Sequence, residues 1–225
     1  QEKSKIIYSN ETVSINSGKT LEIETLVTES RGISKSKNTL EYSIRIPFNS
    51  FNEISNIKGS TFITRTNKRE ALSSSAISTY DAEYENIYKS DNKFKYFVLP
   101  KVEDNSIIEY SYKDKIKQPQ FLSSFRFQNP IKTEETKFQI RCQSTTEIGY
   151  KIFGNYQDKI VFTKTTEGNT DIYSWEAKDI PEFEEEEDMP SSLYFIPHII
   201  YYIKSYEKDG KRVEVLGTPE KLYQW

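Results

Sequence analysis

Apolar and polar residues alternate along most of this chain. Leu40, Tyr42, Ile44 and Ile46 fall on one side of an extended backbone, with Glu41, Ser43 and Arg45 on the other. Phe94, Tyr96 and Val98 oppose Lys93, Lys95 and Phe97, and Ile108, Tyr110 and Tyr112 oppose Glu109, Ser111 and Lys113. Phe121, Phe125 and Phe127 share a face, as do Phe138, Ile140 and Cys142, and later Tyr173, Trp175 and Ala177. Side chains of a strand point alternately to its two faces, so a period of two marks half-buried strands. The runs end in turn residues: Asn16-Ser17-Gly18, Ile57-Lys58-Gly59, Glu103-Asp104-Asn105, Gly168-Asn169 and Lys208-Asp209-Gly210. The pattern predicts an all-β fold with little helix, an antiparallel β-sandwich of two packed sheets. Only Ser78 to Tyr88 has helical spacing, through Tyr80, Tyr84, Ile87 and Tyr88. The unbroken apolar run Ile199 to Ile203 predicts a strand buried on both faces.

Length and composition narrow the classes. A chain of 225 residues fits one large β-sandwich-like domain over 1–221, or two tightly packed subdomains. Hydrophobic content is only 35%, but 16 Tyr, 13 Phe and 2 Trp supply bulky rings for a core. The net charge of -3 is spread among interspersed signs with no basic stripe, which speaks against nucleic acid. No run of 18 apolar residues occurs, so the chain is not read as membrane-spanning. The polar start Gln1-Glu2-Lys3-Ser4 reads as a mature N-terminus left by signal-peptide removal, or as a cut made there for expression. A single cysteine excludes an internal disulfide framework.

Reactive residues are few. A Cys–His nucleophilic pair would have to join Cys142 to His198. Cys142 lies on the apolar face of a predicted strand, where cysteine behaves as a small hydrophobe. His198 opens an apolar strand, where a satisfied neutral histidine is expected. The run Glu182, Glu184, Glu185, Glu186, Glu187 and Asp188 offers oxygens for calcium, but it lacks the spacing and the glycine of an ordered calcium loop. It reads as a solvated surface loop. Tyr194, Phe195, Tyr201, Tyr202 and Tyr206 would make a sugar platform only if they formed an exposed patch, and are read as core and sheet-face residues. No catalytic, cofactor-binding or metal-binding residue is assigned, and no cofactor is expected.

The order of features resembles a known family. Val13-x-Ile15 precedes Gly18, and Leu40 to Pro47 leads to Ile57-Lys58-Gly59. Phe94 to Pro100 is followed by Asp104-Asn105-Ser106-Ile107-Ile108-Glu109-Tyr110-Ser111-Tyr112, then Asn129-Pro130-Ile131 and the strand Thr136 to Cys142. Trp175, the step Asp179-Ile180-Pro181-Glu182 and Pro197-His198-Ile199 complete it. From Ile6 to Val215 the chain resembles the domain of unknown function 3857, which precedes transglutaminase-like domains in exported proteins of Bacteroidetes-type bacteria. Asn105 stands where that family has glycine. The resemblance implies a β-sandwich-like domain in the periplasm or cell envelope, exported by a signal peptide. It implies no activity for this segment, because the Cys/His/Asp triad belongs to the partner domain and matches no position here. Leu222-Tyr223-Gln224-Trp225 reads as the lead-in to that transglutaminase-like domain.

The expected function is therefore a non-catalytic accessory domain that binds or positions partners for its own C-terminal transglutaminase- or protease-like domain. The alternative is an independent glycan- or peptide-binding module, which an exposed row of three rings would favour.

Overall fold

The computed structural model describes residues 3–215, except 19, 83–90, 120, 121, 123, 186 and 187. Fifteen strands follow in order: β1 (Lys5–Ser17), β2 (Leu21–Ile33), β3 (Ser43–Phe48), β4 (Asn52–Ile63), β5 (Lys68–Ala71), β6 (Ser78–Asp81), β7 (Lys93–Val98), β8 (Ser106–Ile116), β9 (Phe125–Arg126), β10 (Thr133–Gln143), β11 (Glu147–Phe153), β12 (Val161–Glu167), β13 (Thr170–Ile180), β14 (His198–Lys208) and β15 (Lys211–Glu214). Only single 3-10 turns accompany them among the described residues. The all-β expectation holds. Eight strands form one large sheet in the order β12-β13-β10-β1-β2-β8-β4-β5. A second sheet runs β11-β14-β15 with β9 beside β14, and a third runs β3-β7-β6. All pairings are antiparallel except that of β1 with β10, which is parallel.

Side-chain parity shows how the sheets pack. β2 pairs with β8 without a break from Ile23↔Ile116 to Ile33↔Ser106, so Ile23 and Ile33 point to the same face. Ile23 lies in a core cluster with Val13, Phe138, Trp175, Ile199 and Tyr201, roofed by the sheet of β14. Ile33 lies in a second cluster with Ile44, Ile46, Phe97 and Ile108, roofed by the sheet of β3 and β7. Both small sheets thus cover one face of the large sheet. The opposite face carries cross-strand ion pairs, among them Lys113–Glu24 and Lys137–Glu176, each at 2.7 Å. One face covered and one solvated is the usual arrangement for antiparallel sheets.

Several local expectations change. Leu40 does not join its predicted strand: Thr39–Glu41 is a 3-10 turn capped by Asn38, Leu40 is 80% exposed, and β3 starts at Ser43. Ile57-Lys58-Gly59 is not a turn between strands but part of a bulge within β4, where the register shifts between Ser55 and Lys58 and Asn56 takes φ 51°. Ser78–Asp81 is a strand rather than the start of a helix, and residues 83–90 of that stretch lie outside the described residues. The run Ile199 to Ile203 is buried on one face only, with Ile199, Tyr201 and Ile203 inward and Ile200 and Tyr202 outward. A β-turn that needs a left-handed residue explains Asn105: its φ is 62°, a conformation glycine and asparagine reach most easily.

Trp175 sits at the centre of the larger cluster at 0% exposure. Phe138, Tyr150 and Phe162 surround it with ring centroids at 5.6, 4.8 and 5.1 Å. Its indole N–H finds no acceptor among the described residues, so packing alone holds the ring. Trp175→Ala is expected to cost about 3–5 kcal/mol. Urea unfolding would read this as a lowered midpoint at unchanged slope.

Candidate binding site

The large sheet's covered face is not apolar throughout. Between the two clusters the register sets Glu11, Val27 and Tyr112 in one row across β1, β2 and β8. The next row holds Ser9, Glu29 and Tyr110, and the row on the other side holds Val13, Thr25 and Asp114. Residues in register share a face, so these polar groups form a seam between the two covering sheets.

One end of the seam is satisfied. Arg31 Nε pairs with the Glu29 carboxylate, Nη1 donates to the Glu41 carbonyl at 3.1 Å, and Nη2 donates to the Tyr110 hydroxyl at 3.4 Å. Ser9 Oγ donates to Glu29 at 3.4 Å. Burial, with Glu29 second, pushes the Tyr110 hydroxyl far above its usual range.

The other end is not. Asp114 accepts two hydrogen bonds of 3.1 Å from the single amide of Asn52. Burial raises its pKa and the Asn52 amide only partly opposes this. Glu11 is half-buried and makes no side-chain hydrogen bond among the described residues. Desolvation, with the Asp114 charge second, pushes Glu11 up to about 8. Tyr112 stands beside both, and burial followed by the charges of Glu11, Asp114 and Glu29 holds its phenol protonated.

A cavity of about 760 Å³ opens at this end, between the large sheet and the sheet of β3 and β7. Asn52, Tyr112, Asp114 and Ile116 line it from the large sheet and Ile46 and Phe48 from the covering sheet, while Arg45 and Phe94, on the outward face of that sheet, reach its rim. The Arg45 guanidinium lies 4.1 Å from the centre of the Phe94 ring. Such a volume, with rings and a few polar groups, is in the range of small-ligand sites.

Cys142 and His198 are not brought together. Cys142 is buried beside Phe138 and Ile140, and opposite Asp171. Burial, with Asp171 second, pushes its thiol up to about 11. Its neighbour Gln143 lines a cavity at one end of the molecule with Glu207. Nine residues of β14, ~30 Å at about 3.3 Å each, separate Glu207 from His198. His198 is buried there, with Nδ1 2.8 Å from the Ile196 carbonyl and its ring stacked on Phe153. In the acidic run, Glu182 pairs with Lys3 at 2.7 Å, and residues 186 and 187 lie outside the described residues. Among the described residues no three His, Cys, Asp or Glu side chains cluster to hold a metal. Tyr201 is core, whereas Tyr194 is 75% exposed.

The seam itself was missed in the sequence. Glu11 and Asp114 sit in strands whose polar residues alternate as on any solvated face, and only the register between distant strands places them under a roof. Their parity with Val13 and Ile116 was the available signal.

Two outcomes follow. Glu11 binds its proton more tightly folded than unfolded, where its value is 4.5, so stability falls as pH rises from there through about 8. Glu11→Gln should leave stability unchanged at pH 4 and raise it at pH 8–9, by less than the roughly 1–3 kcal/mol of a fully buried unsatisfied polar group because the residue is half-buried. Denaturant melts across that range would measure it. Cys142 should react with a thiol reagent far more slowly native than unfolded at pH 8, since neither thiolate nor access is available.

Among the described residues no helix is long and apolar enough to cross a membrane. No curated protein matches the chain. Among solved structures, a protein of Parabacteroides distasonis named as a candidate protease superposes with a TM-score of 0.72 at 13% identity, over 88% of this chain and 40% of that one. This chain therefore spans less than half of that protein, and the likeness shows the fold. An M1 zinc metallopeptidase of Deinococcus radiodurans gives only 0.43 at 7% identity, over 90% and 42% of the two chains, too little to argue from. The family model for a domain of unknown function with a solved structure, DUF3857, matches residues 33–184, which take in β3 to β13, both covering sheets in part and the Asn105 turn, and the chain belongs to that family.

Proposed function

We propose that this chain is a non-catalytic module that binds or positions a partner for a transglutaminase- or protease-like domain elsewhere in the same exported protein of the bacterial envelope. The observation that carries this reading is the cavity beside the seam. Its lining offers rings, amides and charges of both signs, but no serine, cysteine or histidine among the described residues. Such a surface can hold and orient a ligand; it has no nucleophile with a base to activate it. The partial span of the Parabacteroides distasonis protein is consistent with a module that works beside another domain.

A second reading has its own support. Tyr80 is 49% exposed on the outer side of the three-stranded sheet, stacked on Phe94 at 5.5 Å and edge-on to Tyr96 at 6.1 Å. This row of three rings, with Arg45 over Phe94, is the kind of surface on which a sugar stacks. It favours an independent glycan-binding module.

The full-length gene product separates the readings when compared with a form lacking this domain. Positioning predicts that kcat/KM on a protein substrate falls by about tenfold or more without the domain, as loss of a tethered binding site does, while a short peptide substrate is processed unchanged. Equal rates on the protein substrate, together with glycan binding lost in Tyr80→Ala, would favour the second reading. Hydrolysis of either substrate by this chain alone, abolished in Glu11→Gln or Asp114→Asn, would overturn the non-catalytic assignment.

A further inference from the structure

The outer side of the sheet of β3, β7 and β6 carries a single charge. Ile44, Ile46 and Phe97 point to the core, so register puts Arg45 and Pro47 of β3, Phe94 and Tyr96 of β7 and Tyr80 of β6 on the outside. Ser43, Ser78 and Val98 complete that face, and no acidic residue shares it. Lys93 and Lys95 have the opposite parity and are engaged, Lys93 with Asp81 at 2.9 Å and Lys95 with the Thr79 hydroxyl at 2.9 Å. The chain has a net charge of -3, and the solvated face of the large sheet is laced with cross-strand ion pairs such as Lys113–Glu24. A sheet face with one cation and no acid is the exception.

Arg45 is exposed, and its side chain has no ion pair or hydrogen bond among the described residues. Its guanidinium lies over the Phe94 ring, 4.1 Å from the centroid. Tyr80 stacks on the same ring at 5.5 Å and meets Tyr96 edge-on at 6.1 Å. β7 lies between β3 and β6, so the guanidinium, Phe94 and Tyr80 form a row across the sheet, within about 10 Å from end to end. A guanidinium stacked over a ring offers the ring its face, and its N–H donors lie in its own plane. They remain a free fork, the match for a carboxylate or another oxyanion. Tyr80, 49% exposed, is the ring that projects, while Phe94 and Tyr96 are half-buried beside it.

We propose that this row is a binding site for an acidic oligosaccharide, with one sugar ring against Tyr80 and the carboxylate or sulfate of a neighbouring sugar on Arg45. The inference rests on the glycan reading of the same surface and names its ligand class. Two linked sugars span the distance from Tyr80 to Arg45, and Ser43, Ser78 and Tyr96 place hydroxyls on the same face. An acidic peptide fits less well, because a run of carboxylates would meet only one cation. A longer glycan has room to continue, since Arg45 and Phe94 also reach the rim of the 760 Å³ cavity, where Asn49 and Asn92 stand.

Calorimetry and amide NMR on the chain alone test this at pH 7.5. Tetrasaccharides of pectate, alginate and hyaluronan carry carboxylates, and their methyl esters are the uncharged controls. A carrageenan tetrasaccharide carries sulfates, with its desulfated form as control, and tetraglutamate is the acidic peptide. The expected result is saturable binding of at least one acidic tetrasaccharide, about tenfold or more tighter than its own control, as a charged hydrogen bond warrants. Whether a uronate or the carrageenan wins tells carboxylate from sulfate. Shifts should concentrate on β3, β6 and β7, and added salt should weaken the acidic ligand alone. Arg45→Gln should lower the affinity of the acidic form about tenfold, to that of its control, with Arg45→Lys between because it keeps the charge and loses the fork. Tyr80→Ala should weaken both forms, and Lys137→Ala on the solvated face of the large sheet neither. Arg45 is exposed and outside both core clusters, so its variants fold, which their NMR spectra check. An uncharged control bound as tightly as the acid, with no effect of Arg45→Gln, would overturn the acidic ligand and leave the glycan reading in place. No saturable binding of any sugar would overturn both. Tetraglutamate bound as tightly as the best sugar would overturn the assignment in favour of a peptide.

Discussion

From Ile23 to Ile33 the pairing of β2 with β8 runs without a bulge, and that fixed parity governs the rest of the molecule. It makes a single strand contribute to two hydrophobic clusters, one at each end, on one side of the sheet. Two small sheets must then lie side by side on the same face. Each can bury its own apolar side chains against the large sheet, but neither reaches across the middle. The seam of polar residues is what remains where two roofs meet.

The two ends of that seam answer the same physical demand differently. At one end a guanidinium, a carboxylate, a phenol and a backbone carbonyl close on one another, so charges taken from water find partners inside the protein. At the other end the one amide of Asn52 serves both oxygens of Asp114, and Glu11 makes no side-chain hydrogen bond among the described residues. Close packing would fill such a place with hydrophobic residues at no loss of stability, since well-packed apolar groups often equal or exceed buried ion pairs. Keeping Asp114 on a single amide beside an open cavity lowers stability locally.

Much of the architecture was legible because period-two alternation is a local property. Phe138, Ile140 and Cys142, and Tyr173, Trp175 and Ala177, fell on the faces the sequence indicates, and all but the half-buried Tyr173 are buried. Turn chemistry was equally local: Lys208-Asp209-Gly210 turns with positive φ at both Asp209 and Gly210. Local signals failed where a choice depends on distant neighbours. Ile199 to Ile203 is apolar throughout, yet among the described residues nothing covers its outer side, so Ile200 and Tyr202 are exposed. Leu40 fitted the alternation, but the Asn38 side chain caps a turn first. The division of the second layer into two sheets, and with it Glu11 beside Asp114, depends on pairings between β1, β2 and β8, which no short window contains.

The parallel pairing of β1 with β10 has a kinetic consequence. Ile6 meets Thr133, so the first strand waits for a segment made more than half a chain later. Strands β2, β4 and β8 can zip together by antiparallel neighbours, while β10 and β13 form their own pair. Joining the two halves through β1 closes a long loop before its contacts return the lost entropy, and such topologies fold slowly. Until that closure, the edge of β1 that β10 will cover stands open, exposing unpaired backbone N–H and C=O groups to other chains. A newly emerged molecule is then most vulnerable to misassociation at its own first strand.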